Sequence, residues 1–558
     1  MLGLMQSQPL LISSIITHAA RHHASSEVVS RTVDGTIHRT TYAGVERRAR
    51  QLAQALRGLG VGQSDRVATL AWNGHRHLEL YYAASGMGAI IHTVNPRLAA
   101  EDIVHILNDA GSVVLCADTS FIATLAAIAP HVPGVRAMVL LADEDAMPEV
   151  ALAPGQDLLC YEALLAAQDG DFAWPKLDED LASGLCYTSG TTGRPKGVLY
   201  SHRSTVIHAY AVNMADVFGL RAVDRVMPVV PMFHVNAWGI PYAAPMAGAS
   251  LVMPGRHLDG PSVAALMNEE RVTISAGVPT VWMGLLEHLR ATGTRLTTLK
   301  RLVCGGSACP AMLIDVFESE YGVQVDHAWG MTETSPLGTY YGPKPEFTGL
   351  PAAETKRLQY KQGRAVPGLD MRIVDDTGAE QPWDGATYGN LQVRGPWVIR
   401  RYMNHEADAA DAEGWFATGD VATIDPHGLM EITDRTKDIV KSGGEWISSI
   451  QLENIAVGHP DVAEAAIVAA RHPKWDERPL LIVVPKPGRN VDPQALLGLY
   501  AGQVAKWWTP DEVVVVDSLP HTATGKLNKL ALRQQFRDFK LASLADHPTA
   551  APTHPAAG

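Results

Sequence analysis

Residues 188–197 read Thr-Ser-Gly-Thr-Thr-Gly-Arg-Pro-Lys-Gly. Three glycines (Gly190, Gly193, Gly197) and four hydroxyls (Thr188, Ser189, Thr191, Thr192) fall within these ten residues. Glycine permits close backbone approach, and consecutive N–H groups in such a loop make an anion-binding concavity. The hydroxyls add donors, and Lys196 adds a point charge suited to phosphate. The spacing is not that of the Walker loop, which needs glycine directly before the lysine and Ser or Thr directly after it. Here Pro195 precedes Lys196 and Gly197 follows. Proline lacks an N–H and fixes φ, so the stretch reads as strand–turn–strand rather than a helix start.

The elements that position this loop alternate. Asp34-Gly35 is a hairpin signal between two short strands. Residues 42–59 predict a helix with Val45, Ala49, Leu52, Ala53 and Leu56 on one face and Gly60 as its stop. Strand-like and helical runs then alternate through residues 67–71, 75–87, 89–94, 101–108, 113–116 and 137–141. That alternation implies a parallel, doubly wound sheet. After the loop, Ser201 is placed to cap a helix carrying Val206, Tyr210, Met214 and Val217. Strands at 225–230, 272–275, 301–303 and 323–325 repeat the α/β pattern. They lead into Phe233-His234-Val235-Asn236-Ala237-Trp238, Gly277-Val278-Pro279, Cys304-Gly305-Gly306-Ser307 and His327-Ala328-Trp329-Gly330-Met331-Thr332-Glu333.

Residues 343–362 are polar and irregular, and 363–433 read as short strands with turns. Asp434-Arg435-Thr436-Lys437-Asp438 is a charged junction, after which the chain restarts as α+β, with a helix expected over 493–507. The expected fold is therefore α/β. Residues 1–433 form a large N-terminal domain of two doubly wound subdomains plus a small β-subdomain near 343–433. A smaller mobile α+β domain spans 434–540, and a disordered tail 541–558.

The 558 residues exceed one typical core. A net charge of −13 argues against a nucleic-acid partner, which needs a basic face. The five cysteines are scattered without C-x-x-C spacing, which suggests reduced thiols and a cytoplasmic protein. The apolar run 227–254 contains Pro228, Pro231, Pro241 and Pro245, plus His234 and Asn236, so it reads as a buried pocket wall rather than a membrane span. No signal peptide or transmembrane segment is expected.

The loop, together with Trp329-Gly330-Met331-Thr332-Glu333, Thr418-Gly419-Asp420, the charged junction, Lys441-Ser442-Gly443-Gly444-Glu445-Trp446 and Thr522-Ala523-Thr524-Gly525-Lys526, resembles the adenylate-forming superfamily. The likeness runs from about residue 10 to about residue 540 and points toward bacterial fatty-acyl-CoA synthetases, including medium-chain and methylthiopropionate-activating members. Tryptophan at 329 departs from the commoner tyrosine.

The resemblance implies ATP and Mg²⁺ as cofactors and CoA as co-substrate. Lys526, Glu333, Thr332 and His234 would be catalytic, and Thr188 and Glu333 would hold Mg²⁺. Thr188, Ser189, Gly190, Thr191, Thr192, Gly193 and Lys196 would cradle phosphates. Gly305, Gly306, Ser307, His327, Ala328, Trp329 and Gly330 would border adenine. Asp420, Arg435 and Lys437 would serve ribose or phosphate, as a carboxylate accepts both bonds of a cis-diol. Lys441, Gly443, Gly444 and Trp446 would line the nucleotide and pantetheine side. Val235, Trp238, Val278 and Cys304 would form the acyl pocket. No charged residue lies between His234 and Met253, so an apolar acid is expected. An aryl acid–CoA ligase, or an enzyme loading a separate carrier protein, would use the same site. Family likeness implies a homodimer.

Overall fold

The computed structural model describes residues 1, 3–148, 152, 154–188, 194–443, 445–521 and 527–541. The expected tail, but for residue 541, lies outside them. The chain forms two compact units. One comprises Met1–Arg372, Gln392–Ala417 and Asp425–Met430; the other Ile373–Leu391, Thr418–Ile424 and Glu431–Gly558.

Among the described residues, the first unit is built on two sheets flanked by helices. The seven-stranded sheet is ordered Asp157–Cys160, Ala137–Leu140, Ser112–Ala117, Arg66–Leu70, Ile90–Thr93, Ala182–Tyr187 and Gly197–Ser201. All neighbours are parallel except the last pair, which is antiparallel with Tyr187 opposite Gly197. The strands flanking residues 189–193 thus pair antiparallel at the sheet edge, in keeping with the strand–turn–strand reading. The nine-stranded sheet is ordered Arg364–Ala365, Leu337–Tyr340, Gln324–Gly330, Arg301–Cys304, Ile274–Gly277, Arg225–Pro228, Ser250–Met253, Glu27–Arg31 and Ile37–Thr41. Its parallel strands deliver residues 277–279, 305–308 and 331–333 at their carboxyl ends, where open α/β sheets place ligands.

Local chemistry explains the helices nearest the site. Ser201 and Ser204 form a reciprocal cap that starts His202–Val212. That helix ends earlier than expected, and Tyr210 and Met214 are exposed. The run 227–254 is a strand, a tight turn, the helix Ile240–Ala247 and a strand. No described helix is long and apolar enough to cross a membrane.

The β-rich stretch forms a four-stranded sheet ordered Asp370–Val374, Gly389–Arg394, Phe416–Ile424 and Met430–Arg435. Beyond it, Glu445–Ile447, Val440–Ser442, Asp476–Pro485 and Val462–His472 make an ordered sheet, with Glu512–Val515 parallel to Asp476–Pro485. Two expectations need correction. Residues 343–362 are not wholly irregular, since Ala352–Tyr360 is a helix buried through Leu358 and Gln359. The helix expected over 493–507 is only Pro493–Gly498; it ends at one glycine, Gly498, with another, Gly502, soon after.

Several buried histidines of the first unit act as acceptors. His202 Nδ1 accepts from the Ile12 N–H at 3.2 Å, His208 Nε2 from Leu337 at 3.1 Å, and His327 Nε2 from Cys309 at 3.3 Å. Burial lowers His202 and His327 to about 4 and His208 to about 3. Unfolded, each ring takes a proton near pH ~6.5, so below that pH the unfolded chain binds more protons. Stability should be full above about pH 6.5 and fall toward about pH 4, each ring contributing up to about 1.4 kcal/mol per pH unit. Melting temperatures measured across that window check this; a flat profile would contradict it.

Candidate functional site

Glu333 is 8% exposed, so its carboxylate must be partnered. Its Oε1 accepts from the Tyr402 hydroxyl at 2.8 Å. The Tyr402 ring in turn lies 4.8 Å from Lys196 Nζ, a cation–π distance. Burial, then the Glu333 charge, raise the Tyr402 pKa, which keeps the hydroxyl protonated as a donor. The backbone fixes the same arrangement: Ile399 N–H donates to Glu333 O at 2.8 Å, and Met403 N–H to Gly197 O at 2.9 Å. Lys196 is held to Thr188 by two bonds, Thr188 N–H to Lys196 O at 3.0 Å and Lys196 N–H to Thr188 Oγ1 at 3.1 Å. Tyr200 OH donates to Thr332 O at 2.7 Å. The two motifs expected to share a nucleotide are therefore tied together through one segment, 399–403. Ser189, Gly190, Thr191, Thr192 and Gly193 lie outside the described residues.

Sequence reasoning missed Tyr402. It sits 69 residues from Glu333 in a stretch with no periodicity, and a lone Arg-Tyr-Met carries no signal.

On the expected adenine side, steric exclusion organises the loop after Arg301–Cys304. A Cβ on Gly305 would lie 2.7 Å from Ala328 O and 3.1 Å from the Trp238 ring. Gly306 has φ +81°, and its Cβ would meet Val278 at 3.2 Å. Gly305, Gly306, Val278, Ala328 and Trp238 are thus brought together. His327 braces this loop, accepting from Cys309 and facing Tyr360 O through Nδ1 at 2.9 Å. Trp329 is 7% exposed and packs across Gly338, where a Cβ would come within 2.3 Å of its ring. Cys304 is fully buried, and burial raises its thiol well above the usual range.

The turn after His234 is left-handed. Val235, Asn236, Ala237 and Trp238 have φ of 46°, 52°, 46° and 59°. For residues other than glycine this costs about 1–2 kcal/mol each. Val235 is β-branched, for which such a φ is an outlier. Phe233 is buried, whereas Trp238 is half-buried, so the two aromatics are not equivalent core residues.

In the second unit, Asp420 is 2% exposed and pairs through Oδ1 with Arg435 Nε at 2.8 Å. The expected ribose carboxylate and its arginine are therefore adjacent. Thr436 N–H donates to Gly419 O at 3.0 Å. Asp434 Oδ2 accepts from Ser449 N–H at 2.6 Å, anchoring the junction to the helix Ser449–Val457. Lys437, Arg471 and Arg533 border a cavity of about 170 Å³. Lys441 Nζ lies 5.4 Å from the centre of the Trp446 ring. Gly443 N–H donates to Trp475 O at 2.8 Å. Gly444 and Lys526 lie outside the described residues.

Magnesium favours hard oxygen donors and is commonly held by one or two carboxylates plus substrate phosphates. Glu333, with Oε1 accepting from Tyr402, keeps acceptor capacity for a cation, and the Thr188 hydroxyl, which accepts from Lys196 N–H, offers a second lone pair on a neutral hard oxygen. This donor set fits Mg²⁺.

A family model described as AMP-binding enzyme matches residues 16–403, and one described as AMP-binding enzyme C-terminal domain matches residues 451–526. The 3-methylmercaptopropionyl-CoA ligase of Ruegeria lacuscaerulensis is 52% identical over 540 residues, covering 96% of this chain and 99% of the relative. The medium-chain-fatty-acid–CoA ligase of Ectopseudomonas oleovorans is 49% identical, covering 97% and 99%. The crystal structure of the anthranilate CoA ligase AuaEII in complex with anthranoyl-AMP shares the fold, with a TM-score of 0.84 at 24% identity over 96% of this chain and 99% of that one.

Tyr402→Phe removes a single hydroxyl from a charged hydrogen bond, a change that costs about 1.5–3 kcal/mol. We expect Mg·ATP binding, measured by calorimetry, to weaken by at least about tenfold. Unchanged affinity would show that Tyr402 does not orient Glu333.

Proposed function

The chain belongs to the AMP-binding enzyme family and is an AMP-forming acid–CoA ligase, and from that premise we propose how its residues do the work and which acid it takes. In the first half-reaction a carboxylate oxygen attacks the α-phosphorus of ATP. An acyl-adenylate forms and pyrophosphate leaves. In the second, the CoA thiol attacks the acyl carbonyl, loses its proton and expels AMP.

The observation that carries the assignment of roles is the column Lys196–Tyr402–Glu333, with a cation and a carboxylate held at fixed separation beside a hydroxyl- and glycine-rich loop. Lys196 and the loop 188–193 bind the phosphates. Mg²⁺, when bound, would offset phosphate charge beside Glu333 and Thr188. Gly305, Gly306, Ser307, Ala328, Trp329 and Gly330 border adenine, with His327 bracing the loop from behind. Asp420 takes the ribose hydroxyls, and Arg435 pairs with it in a buried setting.

Lys526 stands between the attacking carboxylate and the α-phosphate. Attack of one anion on another is opposed by charge, and a fixed cation in a dry site offsets that repulsion. The domain 434–540 then pivots near residue 434, withdrawing Lys526 and admitting the pantetheine arm past Lys441, Gly443, Gly444 and Trp446. The bond from Ser449 N–H to Asp434 Oδ2 supports assigning Asp434 to that domain.

The acid is apolar and aliphatic: a short-, medium- or long-chain fatty acid, or one bearing a thioether as in 3-methylthiopropionate. The relatives with those named substrates support this, and we assign Val235, Trp238, Val278 and Cys304, with His234, to the pocket that holds it. A cytoplasmic location accords with five free thiols. A homodimer rests on family likeness, and light scattering of the purified protein tests it.

A pyrophosphate-release screen with CoA across straight-chain, methylthio and aryl acids tests the substrate class. We expect the aliphatic and methylthio acids to lead; a lead for aryl acids would overturn the assignment. Lys526→Ala should abolish acyl-adenylate formation yet spare thioester formation from premade adenylate. Equal loss of both half-reactions would contradict the pivot.

A further inference from the structure

The left-handed turn that carries Trp238 is clamped from beneath by side chains outside every motif. Tyr81, on the helix His75–Gly86, is fully buried. Its single O–H is shared between two acceptors, Met232 O and Asn236 Oδ1, the latter at 3.0 Å. Asn73, just before that helix, holds the approach to the turn: Nδ2 donates to Pro228 O at 2.7 Å and to Val230 O at 2.9 Å, and Oδ1 accepts from Met232 N–H at 2.7 Å. On the other side the Cys186 thiol donates to Asn236 Oδ1 at 3.5 Å, and Thr93 Oγ1 lies 3.2 Å from the same sulfur. Asn73, Tyr81, Cys186 and Asn236 are all buried.

Such a backbone persists only where its surroundings over-determine it. Asparagine tolerates the left-handed region better than other residues with a Cβ, and Gly239 continues it at φ +78°. The carboxamide does more than tolerate the turn. It is the only side chain of the four left-handed residues for which a hydrogen bond into the surrounding scaffold is seen among the described residues. One residue beyond Ala237, the Trp238 ring comes to rest over Gly305 and Gly306, at 3.1 Å and 3.8 Å from where their Cβ atoms would be.

We infer that Tyr81 and Asn236 are positioning residues for acyl-chain selection: their hydrogen bond holds the left-handed turn, which seats the Trp238 indole over Gly305 and Gly306 and so sets the depth of the pocket. This rests on the reading that Trp238 lines the acyl pocket. Neither residue touches the acid. Both act through the turn, and a turn relaxed to negative φ would swing the indole off the two glycines.

The test compares kcat/KM for short and medium straight-chain acids, at saturating ATP and CoA, in wild type, Tyr81→Phe, Asn236→Gly and Trp238→Ala. Asn236→Gly keeps a residue at ease with this φ and deletes only the clamp, so it carries the test if Tyr81→Phe fails to fold. We expect both clamp variants to shift the medium-to-short ratio at least about fivefold, in the same direction as Trp238→Ala, with the KM for ATP changing less than about twofold. A purely structural role would lower all rates together and leave the ratio unmoved, which would overturn the inference. If Trp238→Ala moves the ratio and both clamp variants leave it fixed, the clamp fails while the pocket stands. If Trp238→Ala itself leaves the ratio fixed, the pocket reading fails first.

Discussion

The first unit depends on how one buried carboxylate is held. Glu333 cannot lie buried as an anion without a donor, and Tyr402 supplies it from a segment that also bonds to Glu333 O and Gly197 O through its backbone. Because these bonds come from residues 399–403, the acidic motif and the end of the phosphate loop share one support. The aromatic ring between Lys196 and Glu333 also keeps opposite charges from collapsing onto each other. A direct ion pair would neutralise both groups. The spacer leaves each able to meet an external charge, which is what a site for a phosphate and its counter-ion requires.

The second constraint is steric. Gly305 and Gly306 are glycines because Ala328 O, Val278 and the Trp238 indole occupy the space a side chain would need. The indole is there because four successive residues accept a left-handed backbone. The residues proposed to border adenine and those proposed to line the acyl pocket are thereby built against each other. A change at either is felt at the other, without any moving part being invoked.

Local order was legible in the residues, and long-range pairing was not. The strand–turn–strand reading of 188–197 followed from Pro195, and Tyr187 pairs antiparallel with Gly197 accordingly. The α/β alternation and both sheets followed from periodicity. Tyr402 and Tyr81 escaped because their partners lie 69 and 155 residues away, and a single tyrosine has no pattern of its own. The helix Ala352–Tyr360 escaped because it buries little, so its sequence has no apolar face to read. The overlong helix at 493–507 erred the other way, by extending an apolar rhythm through Gly498 and Gly502.

The central claim is that Glu333, as oriented by Tyr402, is the carboxylate that meets the magnesium of Mg·ATP. Magnesium titration of acid-dependent ATP–pyrophosphate exchange in wild type and Glu333→Gln tests it most directly. The account predicts that the amide variant needs at least about tenfold more magnesium for half-saturation, with its dependence on the acid nearly unchanged. Superimposable magnesium curves for the two proteins would contradict it.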